Sequence, residues 1–244
     1  FYQYFCRYFR YPTYRSRSDL GKQLSTDLNQ GEINAFEKNG FIVFAPNYLN
    51  IIGGVIETGR QILDTALSSE SESETRKKGK LIKRKKYLQQ IKLDSELNSD
   101  SIFLKLALHP FLLAYASQNI GMLPILTNIE LWYSPNINVD NDGSQFFHLD
   151  HADVRQMKVF IFIDDITTES GPLTLLGPTS STKVCDAIDY KLSTDQNRVE
   201  DETILNIVGK EDIHPLIGPS GTMAFVDTCR CFHYGSRRGK VPRT

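Results

Sequence analysis

The residues of this chain best suited to chemistry fall in one short run, Phe146-Phe147-His148-Leu149-Asp150. In an extended strand alternate side chains share a face, so His148 and Asp150 point the same way. Two ligands on one strand make a stiff start to a metal site, and a third has to come from elsewhere. His233 is a candidate. It closes the segment Thr222-Met223-Ala224-Phe225-Val226-Asp227-Thr228-Cys229-Arg230-Cys231-Phe232. Two imidazoles and one carboxylate on one side of a metal leave three positions open, the arrangement suited to non-haem Fe(II) and oxygen chemistry. The spacing alone does not choose the pair, because His151-Ala152-Asp153 repeats it three residues on. A single His in such a run is more often a hydrogen-bonded or surface histidine than a ligand.

A zinc site competes for the same region. Cys229, Cys231 and His233 lie at i, i+2 and i+4, so a strand places all three on one face, and zinc favours thiolate and imidazole. Structural zinc needs a fourth ligand, however, and Cys-x-Cys on one extended strand makes a poor chelate angle. Both cysteines read better as small apolar residues lining a barrel.

The elements that position these groups divide the chain in two. Over residues 27–46, Ile33 and Phe36 keep helical spacing, Gly40 is a helix stop and Phe41-Ile42-Val43-Phe44 is a strand. Ile51, Val55, Ile56, Ile62 and Leu63 continue a helical period that Gly53-Gly54 weakens. A helix over Ser101–Asn119 is interrupted near Pro110. From Leu123 onward the character is β. Short runs rich in Ile, Val, Phe and Thr recur at Ile125–Tyr133, Gln145–Asp150, Met157–Ile163, Leu173–Leu176, Thr203–Val208 and Thr222–Val226. Helices first and many short strands after predict a mainly β barrel or sandwich with a helical flank.

Two segments stand apart. Residues 1–26 read as an N-terminal tail, disordered or folded over the surface. Its first 17 residues hold eight aromatics among Arg7, Arg10, Arg15 and Arg17, a composition that organelle-targeting segments share. Residues 68–86 pass from a Ser/Glu block to a Lys/Arg block, which predicts a solvated loop or exposed helix. Aromatic stacking residues are not interleaved there, so nucleic-acid binding is not expected.

The formal net charge of −1 sets up no global basic field, and no apolar run reaches the length of a membrane span. Cys6, Cys185, Cys229 and Cys231 show no disulfide-framework spacing, which suits a reducing, cytoplasmic setting.

The surrounding text resolves the choice of pair. His148-Leu149-Asp150-His151-Ala152-Asp153-Val154-Arg155-Gln156-Met157, the apolar run Val159–Ile163 and Asp164-Asp165 resemble the phytanoyl-CoA dioxygenase family. So do Glu169-Ser170-Gly171-Pro172-Leu173, Leu176-Gly177-Pro178-Thr179-Ser180 and the stretch from Gly218 to His233, in the family's order. The Ile33–Phe44 and Pro110–Leu126 segments are similar to its N-terminal region, so the likeness covers most of residues 27–244.

The resemblance implies a double-stranded β-helix (a cupin-like jelly roll) with flanking N-terminal helices, one oxygenase domain over 27–244 and a charged insertion at 68–86. It implies Fe(II) held by His148, Asp150 and His233, with His151 and Asp153 outside the ligand set. It also implies 2-oxoglutarate as co-substrate, O2 as oxidant and a small organic molecule as substrate, hydroxylated with release of succinate and CO2. Family members grip the distal carboxylate of 2-oxoglutarate with a basic residue about ten positions after the distal His. Arg243 stands there, Lys158 is the back-up, and Arg237 and Arg238 lie too close to His233 to make the reach. The strand expected after Arg243 is not among these residues. From another class, a catalytically silent jelly-roll metal-binding protein is the rival.

Overall fold

The computed structural model describes residues 12–73, 87–91, 93, 97–136, 142–150, 155–191, 197–237 and 239–244. His151, Asp153, Arg238 and residues 74–86 of the charged insertion lie outside the described residues.

The first half is helical. Helix α1 (Pro12–Leu24) belongs to the segment expected to be a tail. It is tied down by Arg17, whose Nε and Nη2 donate to the Leu123 carbonyl at 2.9 and 2.7 Å. A Cβ at Gly21 would sit 2.6 Å from the Met122 carbonyl carbon, so only glycine allows this approach.

Helix α2 (Gln30–Asn39) starts at Asn29, whose Oδ1 accepts from the Gly31 and Glu32 amides. It stops at Gly40 in the left-handed region, φ 74°, and the chain enters β1 (Phe41–Phe44). Helix α3 (Ile52–Ser73) runs through Gly53-Gly54 without a break and takes in the start of the Ser/Glu block. Pro110 separates α4 (Ile102–Ala107) from α5 (Pro110–Ile120), where it sits in the first turn and its missing N–H costs nothing.

The second half alternates short strands with short helices: β2 (Gln89–Ile91) lies ahead of α4, then come β3 (Leu131–Tyr133), β4 (Lys158–Ile161), β5 (Thr174–Leu176), α6 (Pro178–Ile188), α7 (Asp201–Leu205), β6 (Ile213–Pro215), β7 (Met223–Val226) and β8 (His233–Tyr234). The expectation of a mainly β chain needs correcting: α3 alone runs 22 residues, and among the described residues no strand exceeds four. The strand expected over Thr203–Val208 is also corrected, since α7 takes its first half. Glu200, Asp201 and Glu202 suit a helix N-terminus, and Ile204 and Val208, four residues apart, are buried in one cluster.

All strand pairs are antiparallel. One sheet has the order β1-β7-β4, another β6-β5-β8, and β2 pairs with β3. Central strand β7 is buried along its whole length, and its two faces serve different cores. Met223 and Phe225 pack with Phe36, Val55, Phe103 and Tyr115 of the helices. Ala224 and Val226 pack with Leu175 of β5, Phe162, Leu216 and Cys231, so the two three-stranded sheets face each other across this cluster. Beyond β5, Leu176, Phe147 and Phe232 meet Val184 of α6 and Ile204 of α7. The layers are therefore helices, sheet, sheet and helices. No helix among the described residues is long and apolar enough to cross a membrane.

Two glycine substitutions test this account by urea denaturation. A Cβ at Gly40 would meet Cys231 Sγ at 2.1 Å as well as the left-handed backbone. Gly40→Ala should therefore cost roughly 1–3 kcal/mol. At Gly53 a Cβ meets nothing within 4 Å, so Gly53→Ala should add about 0.4–1 kcal/mol. The opposite order would contradict the packing described.

Candidate metal centre

The chain from Phe147 to Asp150 is bonded to both facing sheets. His148 forms an antiparallel bridge with His233 of β8, exchanging both backbone hydrogen bonds at 3.0 Å. Two residues on, the Asp150 amide donates to the Thr228 carbonyl at 2.9 Å, just beyond the end of β7. Directly opposed residues of an antiparallel pair share a face, and so do residues two apart along an extended chain. The side chains of His148, Asp150 and His233 consequently converge, with one ligand atom from each lying within 4.8 Å of the others. The imidazole centroids are 4.3 Å apart, and His233 Nε2 is 3.7 Å from Asp150 Oδ2. Phe147, facing the other way, packs edge-on against Tyr234 at 4.7 Å.

Each imidazole is oriented by its own backbone. His148 Nδ1 lies 2.9 Å from the Phe146 carbonyl and His233 Nδ1 lies 2.9 Å from the Cys231 carbonyl. A carbonyl can only accept, so neutral rings carry the proton on Nδ1 and keep the Nε2 lone pair free for the site. Burial, reinforced by His233, pushes His148 down to about 3. Burial likewise lowers His233. Burial alone would raise the Asp150 carboxyl, but His233 and then Lys158 outweigh it and hold it below its usual range. Neutral imidazoles beside an ionised carboxylate form a donor set that fits a divalent cation with nitrogen and oxygen preference.

Sequence reading placed these three residues together, and the structure brings them to one point. It treats the two basic candidates differently. Lys158 Nζ is 2.6 Å from Asp150 Oδ2, so this ammonium is engaged with the Asp150 carboxylate. Arg243 pairs through its backbone with Ser134. Its Nε donates to the Gly171 carbonyl at 3.1 Å and its Nη2 to Ser236 Oγ at 3.0 Å. No carboxylate lies within ion-pair distance of Arg243 among the described residues, although burial lowers its guanidinium to about 10. Arg237 turns away, stacked 3.2 Å over the Tyr234 ring and paired with Asp201 at 2.7 Å.

The cysteine-based zinc alternative does not form. Cys231 is buried among Phe162, Leu175 and Val226, and burial pushes its thiol up to about 12. Among the described residues His148, Asp150 and His233 are the group able to hold a metal. Sequence reading missed the Lys158–Asp150 pair and Gln156, whose Nε2 reaches Asp150 Oδ2 at 3.4 Å. It also missed Arg198, whose charge helps depress both histidines. Lys158 carried a usable signal, since it opens the strand after the His-x-Asp pair. Nothing near Arg198 in sequence connects it to the site.

No protein-family model matches the chain, and no curated protein matches it. Solved structures share its fold. The crystal structure of EctD from S. alaskensis with 2-oxoglutarate and 5-hydroxyectoine superposes with a TM-score of 0.55 at 14% identity, covering 89% of this chain and 74% of that one. The epimerase SnoN, in complex with Fe3+, alpha ketoglutarate and nogalamycin RO, gives 0.56 at 14% identity, covering 88% and 79%. AviO1 from Streptomyces viridochromogenes Tue57 gives 0.51 at 15%, covering 87% and 90%. At these identities the likeness is one of fold.

The depressed histidines predict acid lability of the metal-free protein. Unfolded His148 takes a proton near 6.5, whereas folded His148 stays neutral down to about 3. Unfolding therefore takes up a proton as pH falls below about 6.5, and stability drops by up to about 1.4 kcal/mol per pH unit for each such site. His148→Asn should flatten the fall between about pH 6.5 and pH 5, where Asp150 does not yet contribute. Urea denaturation across this range measures it, and an unchanged slope would contradict a neutral buried His148.

Proposed function

We propose that the chain is a non-haem Fe(II)- and 2-oxoglutarate-dependent dioxygenase, with iron held by His148, Asp150 and His233. The observation that carries this reading is the convergence of one ligand atom each from His148, His233 and Asp150, with each Nδ1 committed to a backbone carbonyl. A three-residue set of this composition leaves coordination positions for a co-substrate and O2. The two facing antiparallel sheets suit a double-stranded β-helix, the fold implied by the resemblance to phytanoyl-CoA dioxygenases. Neighbours of the same fold were crystallised with iron or 2-oxoglutarate.

When bound, the iron would supply O2 activation coupled to oxidative decarboxylation of 2-oxoglutarate to succinate and CO2. The protein's own work is positioning. His148 and His233 stay neutral and offer Nε2. Asp150 supplies the negative charge and fills the position that a halide needs in halogenating relatives, which favours hydroxylation of a C–H bond in a small organic substrate. Lys158 holds Asp150 oriented before the metal arrives. Arg243 is the anchor for the distal carboxylate of 2-oxoglutarate. An ideal Cβ at Gly235, two residues past His233, would lie 3.5 Å from Arg243 Nη2. A guanidinium enclosed without a carboxylate partner stays charged and needs an anion.

Two experiments test this. Anaerobic addition of Fe(II) and 2-oxoglutarate should produce a weak visible charge-transfer band. His148→Ala or His233→Ala should abolish it and His151→Ala should keep it. Dependence on His151 instead of His148 would overturn the ligand assignment, and no band in the parent protein would favour a catalytically silent metal-binding jelly roll.

For the co-substrate, a hydrogen bond to a charged group contributes about 1.5–3 kcal/mol. Arg243→Met should thus raise the 2-oxoglutarate concentration that half-saturates this band at least about tenfold, with iron content unchanged. Lys158→Met should leave that concentration alone. The reverse pattern would move the anchor to Lys158.

A further inference from the structure

A cavity of about 350 Å³ lies between α2, α5 and the segments around Arg155 and Arg230. It is walled by the two segments that also hold Asp150. Gln156, next to Arg155, reaches the Asp150 carboxylate, and Thr228, two residues before Arg230, accepts the Asp150 amide.

Ile33, Phe36 and Tyr115 give the cavity an apolar wall. Its polar groups are unevenly committed. Arg230 is spoken for by Asp227 at 2.6 Å. Arg155 uses Nη1 on the Asn119 carbonyl at 2.6 Å. Its Nε and Nη2 have no partner among the described residues, and they form the edge of the guanidinium that grips a carboxylate with two parallel hydrogen bonds. Asn119 is 6% exposed, yet its Nδ2 has no hydrogen-bond partner. An unpaired amide buried in this way costs free energy unless a ligand or water meets it, and a half-turn about its last bond lets it present either N–H or C=O to the cavity. Glu37, on the α2 side, adds an exposed carboxylate to the same lining. That charge disfavours a phosphate or dicarboxylate in so small a space and favours a ligand carrying positive charge beside its carboxylate.

We infer that this cavity binds an amino acid or amino-acid derivative, its carboxylate on Arg155 and Asn119 and its ammonium on Glu37. The cavity thereby forms the recognition end of the substrate site, a role that rests on the oxygenase reading. The apolar wall takes the aliphatic part of the ligand.

The test begins with metal-free protein, so it does not depend on iron chemistry. Leucine, glutamine and lysine are titrated by NMR, with isocaproate and isoamylamine as counterparts of leucine lacking the amine or the carboxylate. At least one amino acid should bind, and leucine should bind more tightly than either counterpart. Arg155→Gln should weaken amino-acid binding about tenfold or more, the loss of a charged hydrogen bond. Glu37→Gln should erase the preference for leucine over isocaproate. No binding by any of the three amino acids, or unchanged affinities in both variants, would overturn the ligand assignment.

With Fe(II) and 2-oxoglutarate added, a bound amino acid should shift the charge-transfer band in the parent protein and not in Arg155→Gln. Amino-acid binding without that shift would overturn the substrate role and leave the ligand assignment standing. Absence of the band itself would count against the oxygenase reading alone.

Discussion

Everything at the candidate metal centre depends on one cross-strand pair. His148 and His233 exchange both backbone hydrogen bonds, and because side chains in a pleated pair alternate faces, this register sends both imidazoles to the same side. The adjacent residues take the other side: Phe147 and Phe232 are fully buried in the outer apolar cluster. A slip of one residue would bury an imidazole among Phe147, Phe232 and Val184 and turn an aromatic ring toward Asp150. The apolar cluster behind β8 and the ligand set in front of it are thus two faces of one constraint, and the aromatic face enforces the register on which the polar face depends.

The polar face is costly without a cation. Two neutral imidazoles are buried close together, and a carboxylate is held ionised beside them. Two features make the arrangement tolerable. Each Nδ1 is satisfied by a carbonyl of its own strand, two residues back, which fixes the ring without a partner from elsewhere. The Lys158 ammonium meets Asp150 and offsets part of its negative charge. Lys158 is at the start of β4, where its neighbour across the sheet is Val226 of β7. The sheet that buries β7 therefore also delivers the cation that orients Asp150.

The sequence made the ligand set legible because its signal is local. His-x-Asp on one strand needs only the two-residue period, and Gly40 after Phe36 marks a helix end by chemistry that any chain obeys. The helical reading of α2, α4 and α5 rests on the same kind of cue, as does the break at Pro110. What escaped was non-local or overridden. Thr203–Val208 has β-prone composition, but its acidic start and the i, i+4 burial of Ile204 and Val208 suit a helix packed on the outer sheet. Arg198 acts on the histidines only through the fold, and no spacing in the chain could have announced it.

The three basic residues near the site then separate by what already satisfies them. Arg237 has Asp201 and the Tyr234 ring. Lys158 has Asp150. Among the described residues Arg243 has a backbone carbonyl and a serine hydroxyl, both neutral acceptors. Its backbone is meanwhile held by Ser134 in a pair of hydrogen bonds at 2.8 and 2.9 Å. A cation held in place from behind and without a counter-ion among the described residues fits the co-substrate role proposed above. Arg155, an exposed side chain at the neighbouring cavity, has Nη1 fixed on the Asn119 carbonyl, and its Nε and Nη2 have no partner among the described residues. On the oxygenase reading proposed above, these two cations would offer a co-substrate and a substrate separate charged handles.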